Sequence, residues 1–122
     1  MWTIIKFDKK YFQLLKKDLE SKIGSNISFY KPSILIKKKI FNKEINKEIN
    51  ILGDYIFCFH KNFRNSTIKK LKYSRGLKYF LDGFEKSQEE IDQFIKKCKE
   101  NENQSGFIKQ EFFNDILLKK YK

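Results

Sequence analysis

The sequence predicts an α+β fold in which an antiparallel four-stranded sheet is flanked by helices. Short runs of aromatic and β-branched residues alternate with amphipathic, lysine-rich segments, and several connections are short enough for hairpins. The chain has 122 residues, one proline and five glycines. This composition indicates one domain and argues against both disorder and a turn-dense β-sandwich. The predicted order of elements is β-α-β-β-β-α-β-α.

The chain begins with a predicted strand, helix and second strand. Residues 2–7 form an aromatic and β-branched run that is typical of a strand. Asp8 is a candidate N-cap for a helix over residues 9–22, whose apolar side chains recur at helical spacing. Gly24 provides the end of this helix. Residues 27–30 predict a short strand, which a lysine–proline pair ends.

A lysine-rich arm follows the second strand. Residues 33–41 predict an extended segment with Lys37–Lys39 in its middle, and residues 42–45 and 46–49 repeat the tetrapeptide Asn-Lys-Glu-Ile. A repeat of four residues is too short to be an architectural unit, so we expect a long hairpin arm that is solvated on one side. A charge run of this kind is usually a solvated face, and we place no site on it.

The most informative stretch is the run from Ile51 to Phe59, which predicts the central strand. A Gly-Asp turn signal stands in front of aromatic and β-branched residues. Alternation along a strand puts the side chains of Tyr55, Phe57 and Phe59 on one face and those of Ile56, Cys58 and His60 on the other. Both sets are largely apolar, so we expect the strand to be covered on both sides.

The remaining elements are a short helix, a strand and a longer helix. Asn65, Ser66 and Thr67 are N-cap candidates for a helix over residues 67–72. A turn at Arg75 and Gly76 leads into a strand over residues 77–81. Ser87 to Glu90 forms a capping box before an apolar series at i, i+3, i+4 and i+7. Residues 101–122 begin with a polar linker and continue as an apolar, lysine-rich segment.

The chain is strongly basic, with a formal net charge of +12. Such a charge favours nucleic acid, acidic partners or anionic membranes. Only Arg64 and Arg75 are arginines, so lysine supplies the other 25 of the 27 basic residues. This excess of lysine is also what the codon bias of an AT-rich genome produces, which weakens the inference. We still expect nucleic acid to lie near the protein.

The sequence carries no recognisable catalytic or metal-binding motif. Cys58, Cys98 and His60 do not have the spacing of a zinc site, and we expect buried free thiols in a reducing cytoplasm. His60 has no nucleophile motif to accompany it, so we expect a structural role. No signal peptide or membrane-spanning run is visible. The prediction is a soluble, cytoplasmic protein that is not an enzyme and needs no cofactor, metal or membrane.

The order of these elements and several local motifs resemble the N-terminal (NGN) domain of the NusG family of transcription elongation factors. The resemblance covers roughly residues 1–100. Each motif is weak alone, and their order and spacing make the resemblance specific. The similar segments are Trp2 with the strand that follows it, Tyr30-Lys31-Pro32, Leu52-Gly53-Asp54-Tyr55-Ile56-Phe57, Arg75-Gly76-Leu77-Lys78-Tyr79-Phe80 and Ser87-Gln88-Glu89-Glu90-Ile91.

The chain also departs from the family pattern. Leu52 stands where the family has phenylalanine, and Gly53 stands where it has proline. Glycine also permits the bend, but the exposed aromatic is lost. The family's second domain, a small barrel with a KOW motif, is missing, and residues 113–122 look like the start of its first strand. The unusual sequence slightly favours a specialised paralogue such as the RfaH group.

The resemblance implies a function in transcription elongation or antitermination. The NGN domain binds the clamp helices of RNA polymerase's largest subunit, bridges the cleft to a loop on the opposite jaw, and suppresses pausing or termination. A KOW domain would bind the ribosome or a termination factor. The matching polymerase-binding positions are Leu52, Tyr55, Phe57, Leu77, Phe80, Ser66 and Thr67. We expect docking for Tyr55 and core packing for Phe57 and Phe80.

The resemblance also implies contact with the non-template DNA strand. The loop and short helix after the central strand hold the corresponding position, and helix amides with lysines are good phosphate ligands. The candidate nucleic-acid-binding residues are Lys9, Lys10, Lys69, Lys70, Lys72 and Arg75. The alternative is a capped, solvated helix without a ligand.

Two other function classes stay open. A single-stranded RNA- or DNA-binding module of similar α+β topology displays aromatics on its central strands for base stacking, and Tyr55, Phe57 and Phe59 are candidates for that role. If Phe57 and Phe59 are buried, they are unable to stack on bases. A small enzyme is the least favoured class, since no Gly-rich phosphate loop or paired carboxylate motif is present.

Overall fold

The computed structural model describes residues 1–120 and has the predicted α+β class. Contacts divide the chain into two compact units. One comprises Met1–Lys31 and Asp54–Asp92, and the other comprises Pro32–Gly53 and the described part of the chain from Gln93 onward. The strands are β1 (Trp2–Phe7), β2 (Ser28–Tyr30), β3 (Ser33–Ile40), β4 (Lys43–Asn50), β5 (Tyr55–Phe59) and β6 (Leu77–Phe80). The α-helices are α1 (Phe12–Ile23), α2 (Asn65–Leu71), α3 (Gln88–Glu100) and α4 (Gln110–Lys120).

The first unit contains the predicted antiparallel four-stranded sheet, in the order β2-β5-β1-β6. Strand β5 pairs with both β1 and β2, and β1 also pairs with the edge strand β6. Lys6 lies opposite Tyr55 on one side and opposite Tyr79 on the other. The prediction of Ile51 to Phe59 as one strand was too long, because residues 51–54 form the turn that precedes β5.

One face of this sheet packs against α1 to form the core. Leu15 and Leu19 are fully buried on α1, and they join Ile5 and Ile56 from the two central strands in one apolar cluster. A 3-10 turn over Lys9–Tyr11 precedes α1, and the Asp8 side chain accepts a hydrogen bond from the Lys10 amide, as the sequence predicts for a cap. The helical spacing of the apolar residues thus accounts for the burial of this face.

Gly76 brings the turn before β6 into close contact with the start of α1. Its φ is +79°, and a Cβ atom there would lie 2.7 Å from the Tyr11 carbonyl oxygen and 3.3 Å from the Leu15 Cβ. Its own carbonyl accepts a hydrogen bond from the Asp8 amide. Only glycine meets both the positive φ and the close approach. The Arg-Gly pair found in the sequence is therefore a packing requirement.

The second unit contains the predicted hairpin arm, which consists of β3 and β4 paired in continuous antiparallel register. A two-residue turn joins them, with φ of +52° at Phe41 and +64° at Asn42. Two positive φ values are typical of a type I′ turn, which matches the twist of the two strands. Asparagine is common there, but a bulky side chain such as Phe41 is a steric outlier that costs about 1 kcal/mol or more.

The last described element is a helix where the sequence comparison suggested a strand. We expected residues 113–122 to resemble the first strand of a second domain, but α4 is helical from Gln110 to Lys120, and residues 121–122 lie outside the described part of the chain. Phe112 and Ile116 stand four residues apart, which is a helical and not a strand period. The Gln110 side-chain amide also donates to the Asn114 carbonyl across one turn, at 3.1 Å.

Candidate functional site

The sheet face opposite the core cluster is the candidate docking surface, and we call it the outer sheet face. Side chains alternate along each strand, and the core face takes Ile5, Phe7, Ile56 and Cys58. The register then gives the outer sheet face nine residues, six of them aromatic. They are Trp2, Ile4, Lys6, Ser28, Tyr30, Tyr55, Phe57, Phe59 and Tyr79.

Tyr55 is held at one end of this face by Tyr79 and Lys6. The two phenol oxygens lie 2.8 Å apart, and the rings meet edge to face at 71°. The Lys6 ammonium lies 5.7 Å from the Tyr55 ring centroid and 5.8 Å from that of Tyr79, within the range of cation–π attraction. The hydrogen bond to Tyr79 raises the pKa of Tyr55, with a further contribution from desolvation. The predicted docking residue is therefore oriented, half-buried and neutral at physiological pH.

Phe57 and Phe59 differ in exposure although they share this face. Phe57 is 3% exposed, with its ring centroid 6.3 Å from those of Trp2 and Tyr30. Phe59 is 36% exposed and packs edge to face against Trp2 at 5.2 Å. Base stacking on Phe57 is therefore sterically blocked, whereas Phe59 presents part of its ring. The burial of Phe57 agrees with the core role that we expected for it.

Leu77 and Phe80 do not lie with Tyr55. Both are half-buried and pack against the core cluster, and the Phe80 ring lies 6.1 Å from that of Phe63. Leu52 belongs to the second unit, where it is half-buried in the turn after β4 and its amide donates to the Asn50 side chain at 2.9 Å. Of the predicted apolar docking residues, the outer sheet face therefore contains Tyr55 and Phe57.

Ser66 and Thr67 lie in the first turn of α2, beside a shallow cavity of about 440 Å³. The prediction that Asn65, Ser66 or Thr67 caps this helix was wrong. The helix begins at Asn65, and the preceding Arg64 makes no side-chain capping bond. The Asn65 amide instead donates to the Glu85 carboxylate at 3.2 Å. The Glu85 carboxylate therefore accepts a hydrogen bond from one of the helix amides that we expected to bind phosphate.

Among the predicted nucleic-acid-binding residues, Arg75 is already paired with a carboxylate. Its guanidinium donates to both carboxylate oxygens of Asp18, at 2.8 to 3.3 Å, and its amide donates to the same carboxylate at 2.9 Å. These bonds lower the pKa of Asp18 to about 2. Lys9 lies 3.9 Å from Asp54. Lys10, Lys69, Lys70 and Lys72 are exposed, and Lys70 borders the cavity beside Ser66 and Thr67.

Cys58, Cys98 and His60 are all buried and contribute to the packing of the chain. Cys58 and Cys98 are free and buried, as predicted. Burial raises the pKa of the Cys98 thiol to about 12, with a smaller effect of Glu102, and it raises the pKa of Cys58 further. His60 is 2% exposed, and its Nδ1 accepts a hydrogen bond from the Asn62 amide at 3.0 Å. Within residues 1–120, no cluster of His, Cys, Asp or Glu is arranged to hold a metal ion.

Comparison with known proteins does not assign the chain to a family. The sequence matches no protein-family model, and a search of curated proteins gives no significant match. Within the described part of the chain, no helix has the length and apolar character needed to cross a bilayer.

Sequence reasoning missed two members of the site, Lys6 and Tyr79. Both stand next to residues that the motifs did single out, but a strand pattern alone does not say which strands are neighbours. Lys6 becomes a partner of Tyr55 and Tyr79 only because β1 lies between β5 and β6. The one available signal was a lysine between Ile5 and Phe7 of an apolar strand, where a charge needs compensation.

Proposed function

We propose that the chain is a domain of a transcription elongation or antitermination factor that binds the clamp helices of RNA polymerase. It would bridge the polymerase cleft and suppress pausing or termination through binding energy alone. The contact would be made by the outer sheet face, with Tyr55 as its principal docking residue. The resemblance of the motifs around β1, β5 and β6 to the NusG family supports this proposal.

The observation that carries the proposal is the position of Tyr55. The residue is half-buried at the start of β5, on the sheet face that does not pack on α1, and its hydroxyl is fixed 2.8 Å from that of Tyr79. A rigid aromatic with a polar end contributes strongly to protein interfaces because little side-chain entropy is lost on binding. Tyr79, which is 45% exposed, extends the same aromatic edge.

The test is a pull-down of purified RNA polymerase, and of a fragment that carries only its clamp helices, by the wild-type chain and two variants. We expect Tyr55→Ala to weaken both interactions at least about tenfold, which corresponds to a loss of about 1.4 kcal/mol at the interface. The matched control is Tyr11→Ala, because Tyr11 is an equally large aromatic that is 49% exposed in the 3-10 turn before α1 and belongs to no strand of the sheet. Wild-type binding by folded Tyr55→Ala would contradict the proposal.

A single-stranded nucleic-acid-binding module is the second candidate, and the exposure of Phe59 favours it. A partly exposed aromatic on a central strand of a four-stranded sheet is a suitable platform for a base. The Trp2 ring supports Phe59 from one side at 5.2 Å. Binding of a single-stranded oligonucleotide that is lost in Phe59→Ala and retained in Tyr55→Ala would favour this candidate over polymerase docking.

A further inference from the structure

The tandem repeat in the hairpin arm sorts its residues by chemistry once it is folded as a strand. The repeat has a period of four, and side chains on a strand alternate with a period of two. Each repeat in β4 therefore sends its lysine and isoleucine to one face and its asparagine and glutamate to the other. A sequence that reads as mixed in charge becomes two faces of different charge.

The register of β3 and β4 extends this sorting across the arm. On one face, the pair nearest the base of the arm is Ile34 with Ile49, and the three pairs beyond it each consist of one isoleucine and one lysine; no residue of this face is acidic. All three lysines of this face are exposed, as are Ile40 and Ile45, at 46% and 45%. We call these three outer pairs the isoleucine–lysine face: Ile36 with Lys47, Lys38 with Ile45 and Ile40 with Lys43.

The opposite face is balanced in charge. Beyond the buried pair of Ser33 with Asn50, its pairs are Leu35 with Glu48, Lys37 with Asn46 and Lys39 with Glu44, so it carries two lysines and two glutamates. Opposite charges across a strand pair stabilise a hairpin without a ligand, and this face needs none. The three lysines of the isoleucine–lysine face take part in no ion pair with any described residue.

The tip of the arm carries an apolar side chain that the fold itself does not use. Phe41 is 95% exposed, so it contributes almost no hydrophobic stabilisation to the chain. It also holds a φ of +52°, which disfavours a bulky side chain. Asparagine, glycine or aspartate would form the same turn without that strain. A side chain that is both strained and exposed points to a role in contact with something else.

We propose that the arm is a binding element for double-stranded DNA, independent of the polymerase-docking surface. The isoleucine–lysine face would lie along the duplex, with Lys38, Lys43 and Lys47 on phosphates and the isoleucines against sugars and groove walls. Phe41 would insert as a wedge at a base step. Two-stranded β-ribbons bind in either groove of B-form DNA, and in the minor groove architectural proteins insert apolar side chains between base steps.

The spacing of the lysines favours duplex DNA over an anionic membrane as the partner of the arm. Successive pairs of the isoleucine–lysine face are two residues apart, so its lysines are spaced by about 7 Å along the arm, alternating between the two strands. A line of separated cations along a narrow ribbon matches a line of phosphates. An anionic bilayer would favour one continuous apolar side with the cations at its margin, whereas here lysine and isoleucine alternate.

The first test compares two double variants by fluorescence anisotropy with a labelled random-sequence duplex over a range of salt concentrations. Lys38→Gln/Lys43→Gln removes two lysines from the isoleucine–lysine face, and Lys37→Gln/Lys39→Gln removes two from the balanced face. Because the change in net charge is the same, only position differs. We expect the first variant to bind about tenfold more weakly, with the slope of log affinity against log salt reduced by about two. We expect the second to remain within about threefold of wild type.

The second test separates the wedge from the turn that carries it. Phe41→Asn should keep or raise the thermal stability of the chain, because asparagine tolerates positive φ. The same variant should bind the duplex at least about threefold more weakly. It should also lose the rise in 2-aminopurine fluorescence that wild type causes when it unstacks a labelled base step. Unchanged affinity and an unchanged fluorescence signal in Phe41→Asn would overturn the assignment of a wedge.

Three outcomes decide whether duplex DNA is the partner and whether the arm acts separately from the outer sheet face. Equal weakening of duplex binding by the two lysine double variants would overturn the proposal, because it would mean that net charge and not the isoleucine–lysine face is recognised. Binding to phosphatidylserine vesicles with no binding to duplex at low salt would also overturn it and identify a lipid surface. Loss of polymerase binding in Tyr55→Ala with duplex binding retained would support two separate surfaces.

Discussion

Replacement of Gly76 by alanine tests how tightly the turn before β6 is packed on α1. The new Cβ would lie 2.7 Å from the Tyr11 carbonyl oxygen, which is backbone and unable to rotate away. The positive φ costs about 1 kcal/mol for a residue with a Cβ, and forced movement of a packed backbone costs about 1 to 3 kcal/mol. We therefore expect Gly76→Ala to lower the free energy of unfolding by about 3 kcal/mol, out of a typical 5 to 15.

Urea unfolding followed by tryptophan fluorescence is the appropriate assay, because Trp2 is the only tryptophan and lies in the same unit as Gly76. With a slope of about 1.5 kcal/mol per molar urea, the midpoint should fall by about 2 M. Gly83→Ala is the matched control, because Gly83 has a φ of +82° and a Cβ atom at that position would have no neighbour within 4 Å. It should lose only about 1 kcal/mol. Equal losses in the two variants would refute the packing argument.

Three further predictions follow from the contacts of titratable groups. The Asp18 carboxylate should titrate at about pH 2 when followed by NMR, and its pKa should return toward the ordinary value in Arg75→Met. Because the pKa of Asp18 is lower in the folded chain than in the unfolded chain, the ion pair stabilises the fold above about pH 4. This stabilisation should be lost as the pH falls from about 4 to about 2. The pKa of Tyr55, measured by ultraviolet titration, should fall in Tyr79→Phe, because the hydrogen bond to Tyr79 is the largest cause of its upward shift. Since the pKa of Tyr55 is higher in the folded chain than in the unfolded chain, its neutral form stabilises the fold below about pH 10. This stabilisation should disappear as the pH rises further. Both cysteine thiols should be unreactive toward Ellman's reagent until the chain is unfolded, since both are buried.

The fold was largely predictable because its elements carry strong local signals. The apolar spacing within residues 9–22 and in the series from Ile91 to Cys98 predicted the helices that the structure has at Phe12–Ile23 and Gln88–Glu100. The aromatic and β-branched runs predicted the strands that pair in the sheet. The errors occurred where local signals compete. The N-cap candidates at residues 65–67 are polar residues that also suit the first turn of a helix, and the segment from residue 113 was interpreted from a resemblance in place of its own helical period.

The candidate site was less predictable because it depends on which strands are neighbours. Tyr55 was found from its place in a motif, but Lys6 and Tyr79 join it only through the order β5-β1-β6. Arg75 shows the opposite case. The sequence offered it as a ligand for phosphate, since its planar fork makes bidentate contacts that lysine does not. In the folded chain that capacity is used on the Asp18 carboxylate.

Pairing therefore matters more than net charge for locating a surface that binds a polyanion. The formal charge of +12 covers the whole chain, yet two of the predicted phosphate ligands, Lys9 and Arg75, have carboxylates within 4 Å. The arm lysines that share a face with isoleucine have no acidic neighbour on that face. Counterion release depends on cations that remain available to phosphate, and for this reason the salt slope should respond to position in the arm more than to the number of lysines removed.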